Sequence, residues 1–122
     1  MDLSRFRGRN RLLLIFAPSA SDEGSERQRD FLKGHEAGFA DRGLMALRLF
    51  EDRADDDAGE LATPAAARGD FGVEDVRFTA VLVGRDGGVK FRSGEPVPAT
   101  DLFARIDTMP MRRREMREKN RS

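Results

Sequence analysis

No cysteine occurs in the chain, and that single absence excludes disulfides, thiolate nucleophiles, CxxC redox chemistry and cysteine-ligated zinc. Histidine is almost as scarce: His35 stands alone, which disfavours a histidine-rich metal site within one chain. An excess of charge of either sign is also missing. Lys+Arg and Asp+Glu both count 22, so no overall attraction to nucleic acid or anionic membrane follows. Long apolar runs are missing too. Leu12 to Ala17 is six residues, short of the ~7–15 of a signal-peptide core and of the ~20 that span a bilayer. As given, the chain reads as cytoplasmic; a cysteine-free protein also tolerates an oxidising compartment, so a trimmed precursor would fit export.

What is present is enough for one core. A length of 122 residues accommodates a single domain and not two. Charged residues make up 36%, above the ~25% of an average globular protein, and predict a dense ionic surface. Leu12-Leu13-Leu14-Ile15-Phe16-Ala17 has no polar alternation, which suits a strand buried on both faces. Pro18 ends it. Ser19 to Glu23 offers capping side chains and acids that complement a helix start, and the helix is expected to run to about Ala40. Phe31, Leu32, His35 and Phe39 share one of its faces, where Gly34 and Gly38 would permit close packing. Leu44 to Phe50 reads as a second core strand.

Glu51 to Glu60 holds six acidic residues against Arg53, a block that resists burial and predicts a solvated loop. Thr63-Pro64 reads as a helix cap and first position, with Gly69 or Gly72 as the stop. Val76 to Val83 and Val89 to Arg92 flank the tight turn Asp86-Gly87-Gly88, a strong hairpin signal. Thr100 is the expected cap of a helix carrying Leu102, Phe103 and Ile106 inward to about Met109, and Pro110 fits the restart of another. Met111 to Ser122, with six basic and two acidic residues, reads as an exposed basic helix or tail that frays. The domain is therefore expected to occupy 1–110 and the basic segment 111–122.

A strand, helix, strand, short helix, hairpin and helix in this order imply a right-handed parallel crossover extended by antiparallel pairing. The expected fold class is α/β: a mixed sheet of about four strands with helices on both faces. Three stretches carry a family resemblance: Asn10 to Ser19, Phe78 to Lys90 with its Gly84-Arg85-Asp86-Gly87-Gly88 turn, and Ile106 to Met116 with Met109-Pro110-Met111-Arg112. The chain resembles the thioredoxin-like, sometimes peroxiredoxin-like, domain of unknown function shared by sushi-repeat-containing proteins, equarin and many bacterial proteins. The resemblance implies a thioredoxin-like fold, in which a reactive cysteine would follow the first core strand at a helix N-terminus. Ser19, Ala20, Ser21 and Asp22 occupy that place. Phe78 precedes Thr79 where that fold carries Pro-Thr.

A serine hydroxyl has neither the acidity nor the reversible oxidation that peroxide or disulfide chemistry needs. His35 is too far along the helix to activate Ser19 or Ser21, whose simpler role is capping. Asp22 and Glu23 suit helix electrostatics better than acid–base chemistry, and His35 suits packing. Asp55, Asp56 and Asp57 lack the spacing of a calcium loop, and Asp70-Phe71-Gly72 has none of the companions of the kinase tripeptide. No catalytic residue, metal or cofactor is assigned. The expected function is a non-catalytic binding or interaction module for a protein or small ligand, its groove at Pro18, Ser19, Ser21, Asp22, Phe78 and Thr79 by analogy of fold. Two alternatives stand beside it: a redox-linked enzyme with thiol-free chemistry or a partner's cysteines, and a binder of acidic partners or anionic polymers through Arg112, Arg113, Arg114 and Arg117.

Overall fold

The computed structural model describes residues 6–19, 21–50, 64–73 and 77–121. Strand β1 (Arg11–Ala17) is buried at every position, as its unbroken apolar run requires. It occupies the interior of a four-stranded sheet. On one side β2 (Leu44–Phe50) runs parallel to it, on the other β3 (Thr79–Val83) runs antiparallel, and β4 (Val89–Ser93) completes the order β2-β1-β3-β4. A parallel pair needs a crossover, which α1 (Glu23–Leu32) and α2 (Glu36–Asp41) supply. The hairpin forms where the Asp86-Gly87-Gly88 signal lies: Gly84 and Gly88 share a backbone bond of 2.9 Å, and Gly88 N–H donates to Asp86 Oδ1 at 2.9 Å.

Alternation along β1 divides the core in two. Leu12, Leu14 and Phe16 join Leu47, Leu49, Val81 and Val83 on one face, beneath Val73 and Phe71 at the end of α3 (Pro64–Phe71). Leu13, Ile15 and Ala17 join Ala80 and Leu82 on the other face, beneath Leu32, Phe39 and the Leu102 and Ile106 side chains of α4 (Ala99–Asp107). The architecture is thus the expected mixed sheet with helices on both faces.

Three expectations are corrected in detail. The single helix to Ala40 is two helices, because Lys33 turns extended (ψ 132°) and Gly34 follows at φ +83°, a conformation that strains any residue with a Cβ. Gly38, not Gly34, provides the close approach: a Cβ there would stand 2.6 Å from the Phe103 ring. Pro98 rather than Thr100 holds the N-cap position of α4, with no side-chain cap bond. The chain after Met109 is a continuous helix, α5 (Pro110–Arg121), begun by Pro110 as the sequence suggests. The acidic run, with Asp55 to Asp57, and the Thr63 cap lie outside the described residues.

One polar side chain deep in the core ties the irregular segment before α4 to α1. Gln28 is fully buried; its Nε2 donates to the Val97 carbonyl and its Oε1 accepts from the Val97 N–H, both at 2.8 Å. The pair satisfies a backbone donor and acceptor that no strand or helix serves. Truncation by Gln28→Ala leaves both without partners, and we expect a loss of about 2–3 kcal/mol in urea denaturation. A loss below ~0.5 kcal/mol, the range of an ordinary surface change, would contradict this role.

Candidate functional site

The predicted groove lies at the C-terminal end of β1. Phe16 pairs with Thr79 across the β1–β3 ladder, so Pro18 and Ser19 emerge beside Thr79. The six residues are brought to one end of the sheet, but their side chains are largely committed. Asp22 is the N-cap of α1, its Oδ2 accepting from Ser25 N–H at 3.2 Å, and Glu23 and Glu26 fill the first turn. Ser19 and Ser21 hydroxyls hydrogen-bond to each other at 3.2 Å. Phe78 is buried against Gly24, where an added Cβ would meet it at 2.9 Å. Sequence reasoning missed Arg68, which reaches from α3 to within 3.5 Å of the Ala17 carbonyl.

His35 is the N-cap residue of α2, and its ring meets Phe103 edge-on at 6.0 Å between centroids. Phe39 meets the same ring at 5.8 Å, while the Arg42 guanidinium lies 4.0 Å over it. His35 is therefore part of an aromatic packing cluster. Among the described residues, no three His, Asp or Glu side chains are grouped to hold a metal ion, and no helix is long and apolar enough to cross a membrane.

At the opposite end of the sheet lies a cluster of charges that the sequence did not announce. Arg11, the first residue of β1, is 1% exposed. Its guanidinium grips Glu115 of α5 with both terminal nitrogens, at 2.8 and 3.3 Å, and donates to the Arg42 carbonyl at 2.8 Å. Arg85 from the β3–β4 turn takes the same Glu115 oxygen at 2.9 Å and the Gly8 carbonyl at 2.7 Å. Around the corner, Arg112 bonds Asp41 at 2.7 Å and Asp107 at 3.0 Å; Arg42 pairs with both Asp107 oxygens, and Lys119 with Asp41.

The expected basic patch is corrected accordingly. Arg112 is 4% exposed and faces inward, whereas Arg113, Arg114 and Arg117 are exposed. Three residues of it lie at the surface and the fourth fastens the helix. The available signal was Arg11 itself, a cation abutting an apolar run, which demands a carboxylate from elsewhere; nothing local identified Glu115 as that partner.

The cluster shifts its own titration. Hydrogen bonds from Lys119 and then Arg112 hold the Asp41 carboxyl down at about 2. Burial alone would raise Glu115 and Asp107; the bonds from Arg11 and Arg85 to the first, and from Arg42 and Arg112 to the second, outweigh it and hold both below the ordinary range. Burial likewise disfavours the charge on Arg112, and the bonds to Asp41 and Asp107 reverse that.

A cleft of about 290 Å³ opens beside this cluster. Arg11, Arg85, Lys90 and the acid Asp86 line it on the polar side, and Met109, Pro110 and Met111 on the apolar side. A smaller cavity of about 180 Å³ shares Arg85 and Met111 with it. A third, of about 420 Å³, lies between α2 and the β2 edge, lined by Leu32, Phe39, Leu44 and Ala46 among others. None of the six predicted groove residues lines these cavities.

A family model described as "Domain of unknown function (DUF4174)" matches residues 2–115, a stretch ending at Glu115. Among solved structures, the chain is similar to the reduced 2-Cys peroxiredoxin of Plasmodium vivax, with TM-score 0.68, 15% identity, and coverage of 93% of this chain and 85% of that one. The fold is accordingly thioredoxin-like.

The depressed carboxyls fix the sign of an acid effect. Where folded values lie below unfolded ones, the unfolded chain binds more protons, so stability present above about pH 4.5, the ordinary glutamate value, declines as pH falls toward about 2. Melting temperature should fall steadily over that window. Glu115→Gln should cost about 3 kcal/mol at neutral pH, the low end for a buried pair broken on one side, and should flatten the acid limb. An unchanged melting temperature and pH profile would contradict the assignment.

Proposed function

The chain belongs to the Domain of unknown function (DUF4174) family, and from that premise we propose that it is a non-catalytic binding module built on a thioredoxin-like frame. The observation that carries the reading is the start of α1. In a peroxiredoxin-like protein a thiolate would stand there, held by the helix dipole. Here the Asp22 carboxylate occupies the cap and bonds the free Ser25 N–H, the neighbouring hydroxyls of Ser19 and Ser21 bond to each other, and no cysteine exists anywhere in the chain. A carboxylate in that position repels the anion that a thiolate would be, and serine cannot cycle between oxidised and reduced sulfur.

The peroxiredoxin likeness extends to fold alone at this level of identity, so peroxide chemistry is not carried over. The kinship with the domain of sushi-repeat-containing proteins and equarin is likewise our proposal, supported by the Gly84 to Gly88 turn and the Met109 to Arg112 run. Both motifs border the Arg11 end of the sheet. That location, together with the committed side chains around Ser19 and Asp22, favours binding at the Arg11 end over the groove inferred from fold analogy.

Hydrogen peroxide consumption and insulin reduction by the purified chain, with an external thiol reductant supplied, should not exceed the protein-free rate. Repeated turnover in either assay would overturn the reading.

A further inference from the structure

We propose that the cleft between the β3–β4 turn and the start of α5 binds a small monocarboxylate with an apolar body. The inference rests on reading the chain as a binding module and names the ligand class. Its first support is unsatisfied polarity. The Nε atoms of Arg11 and Arg85 are both buried and have no hydrogen-bond partner among the described residues, and both arginines line the cleft. A buried donor left unpaired is costly, and an entering carboxylate supplies an acceptor with two oxygens.

Charge points the same way. Arg11, Arg85 and Lys90 face two carboxylates here: Glu115, shared between the arginines, and Asp86, which takes Lys90 at 2.7 Å and the Gly88 N–H. Of the charged residues that line the cleft itself, three are cations and one, Asp86, is an acid. The N-terminal end of α5 opens onto the cleft through Pro110 and Met111, and its dipole adds positive potential.

The remaining wall is apolar: Met109, Pro110 and Met111. Met111 is 41% exposed, an unbranched, adaptable side chain able to shift and admit a ligand to the shielded nitrogens. A volume of about 290 Å³ lies at the small end of ligand sites, which suits a small molecule.

The test is an NMR titration of the full, isotope-labelled chain with sodium octanoate, using octanol as the uncharged control and inorganic phosphate as the charge-only control. Octanoate should produce saturable shifts at Gly84 to Lys90, at Met109 to Met111 and at the Arg85 Nε–H signal, with an apparent Kd of about 1 mM or tighter. Octanol and phosphate should each bind at least about tenfold more weakly. Met111→Glu adds an acid to the first turn of α5, where helix electrostatics favours it, so the variant folds; it should weaken octanoate about tenfold or more.

Absence of saturable shifts at the cleft, octanol or phosphate binding as tightly as octanoate, or an unaffected Met111→Glu would each overturn the proposal. Shifts confined to Leu32, Phe39 and Ala46 would overturn this site while leaving the binding-module reading intact. Failure of that broader reading shows separately, as peroxide or insulin turnover.

Discussion

A guanidinium buried at the first position of the central strand sets the terms for this fold. Arg11 is shut from water, and a charge in that situation needs an opposite charge with hydrogen bonds in place. Glu115 supplies it from 104 residues away, so α5 must return to the edge where β1 begins. Once it does, Arg85 and the β3–β4 turn converge on the same carboxylate, and Gly8 is bound to Arg85 in both directions. Arg112, one helical turn before Glu115, then faces Asp41 and Asp107. The charge clusters at this end of the sheet thus meet on α5, Glu115 holding Arg11 and Arg85, and Arg112 holding Asp41 and Asp107.

The two ends of β1 differ in character. At its C-terminal end, where a peroxiredoxin-like frame would present sulfur, the helix start is filled by a cap and the hydroxyls answer one another. At its N-terminal end, Arg11, Arg85 and Lys90 line a cleft with an apolar wall. A fold defined by its sheet and crossover does not require a particular reactive side chain at the helix start, since function rests on the site and not on the fold. Buried nitrogens without a partner among the described residues occur toward both ends: the Nε of Arg68, whose side chain reaches the Ala17 carbonyl, at one and the Nε atoms of Arg11 and Arg85 at the other. Binding is proposed at the end where two of them line a cleft.

Much of the frame was legible because its signals are local. The unbroken run Leu12 to Ala17 could be satisfied only inside a sheet, and Asp86-Gly87-Gly88 between two apolar stretches specified a hairpin. Pro110 marked a restart for the same reason. The helix break was harder: Gly34 and Gly38 look alike in sequence, and only tertiary packing distinguishes the one that turns the chain from the one that admits Phe103. The predicted groove residues do gather at one end of the sheet, as fold analogy suggests, with their polar groups already engaged. Least legible was α5. Arg112, Arg113 and Arg114 are chemically identical neighbours, and what turns the first inward is a pair of aspartates, Asp41 being 71 residues distant.

The coupling between Arg11 and Glu115 tests this account most directly. A double-mutant cycle with Arg11→Met and Glu115→Gln, read by urea denaturation at neutral pH, should return an interaction energy on the order of 2 kcal/mol, within the range for contacting charged groups. The double variant would then be less impaired than the sum of the single ones. Additivity within ~0.5 kcal/mol would show that the two residues act independently, and the claim that this pair positions α5 would fail.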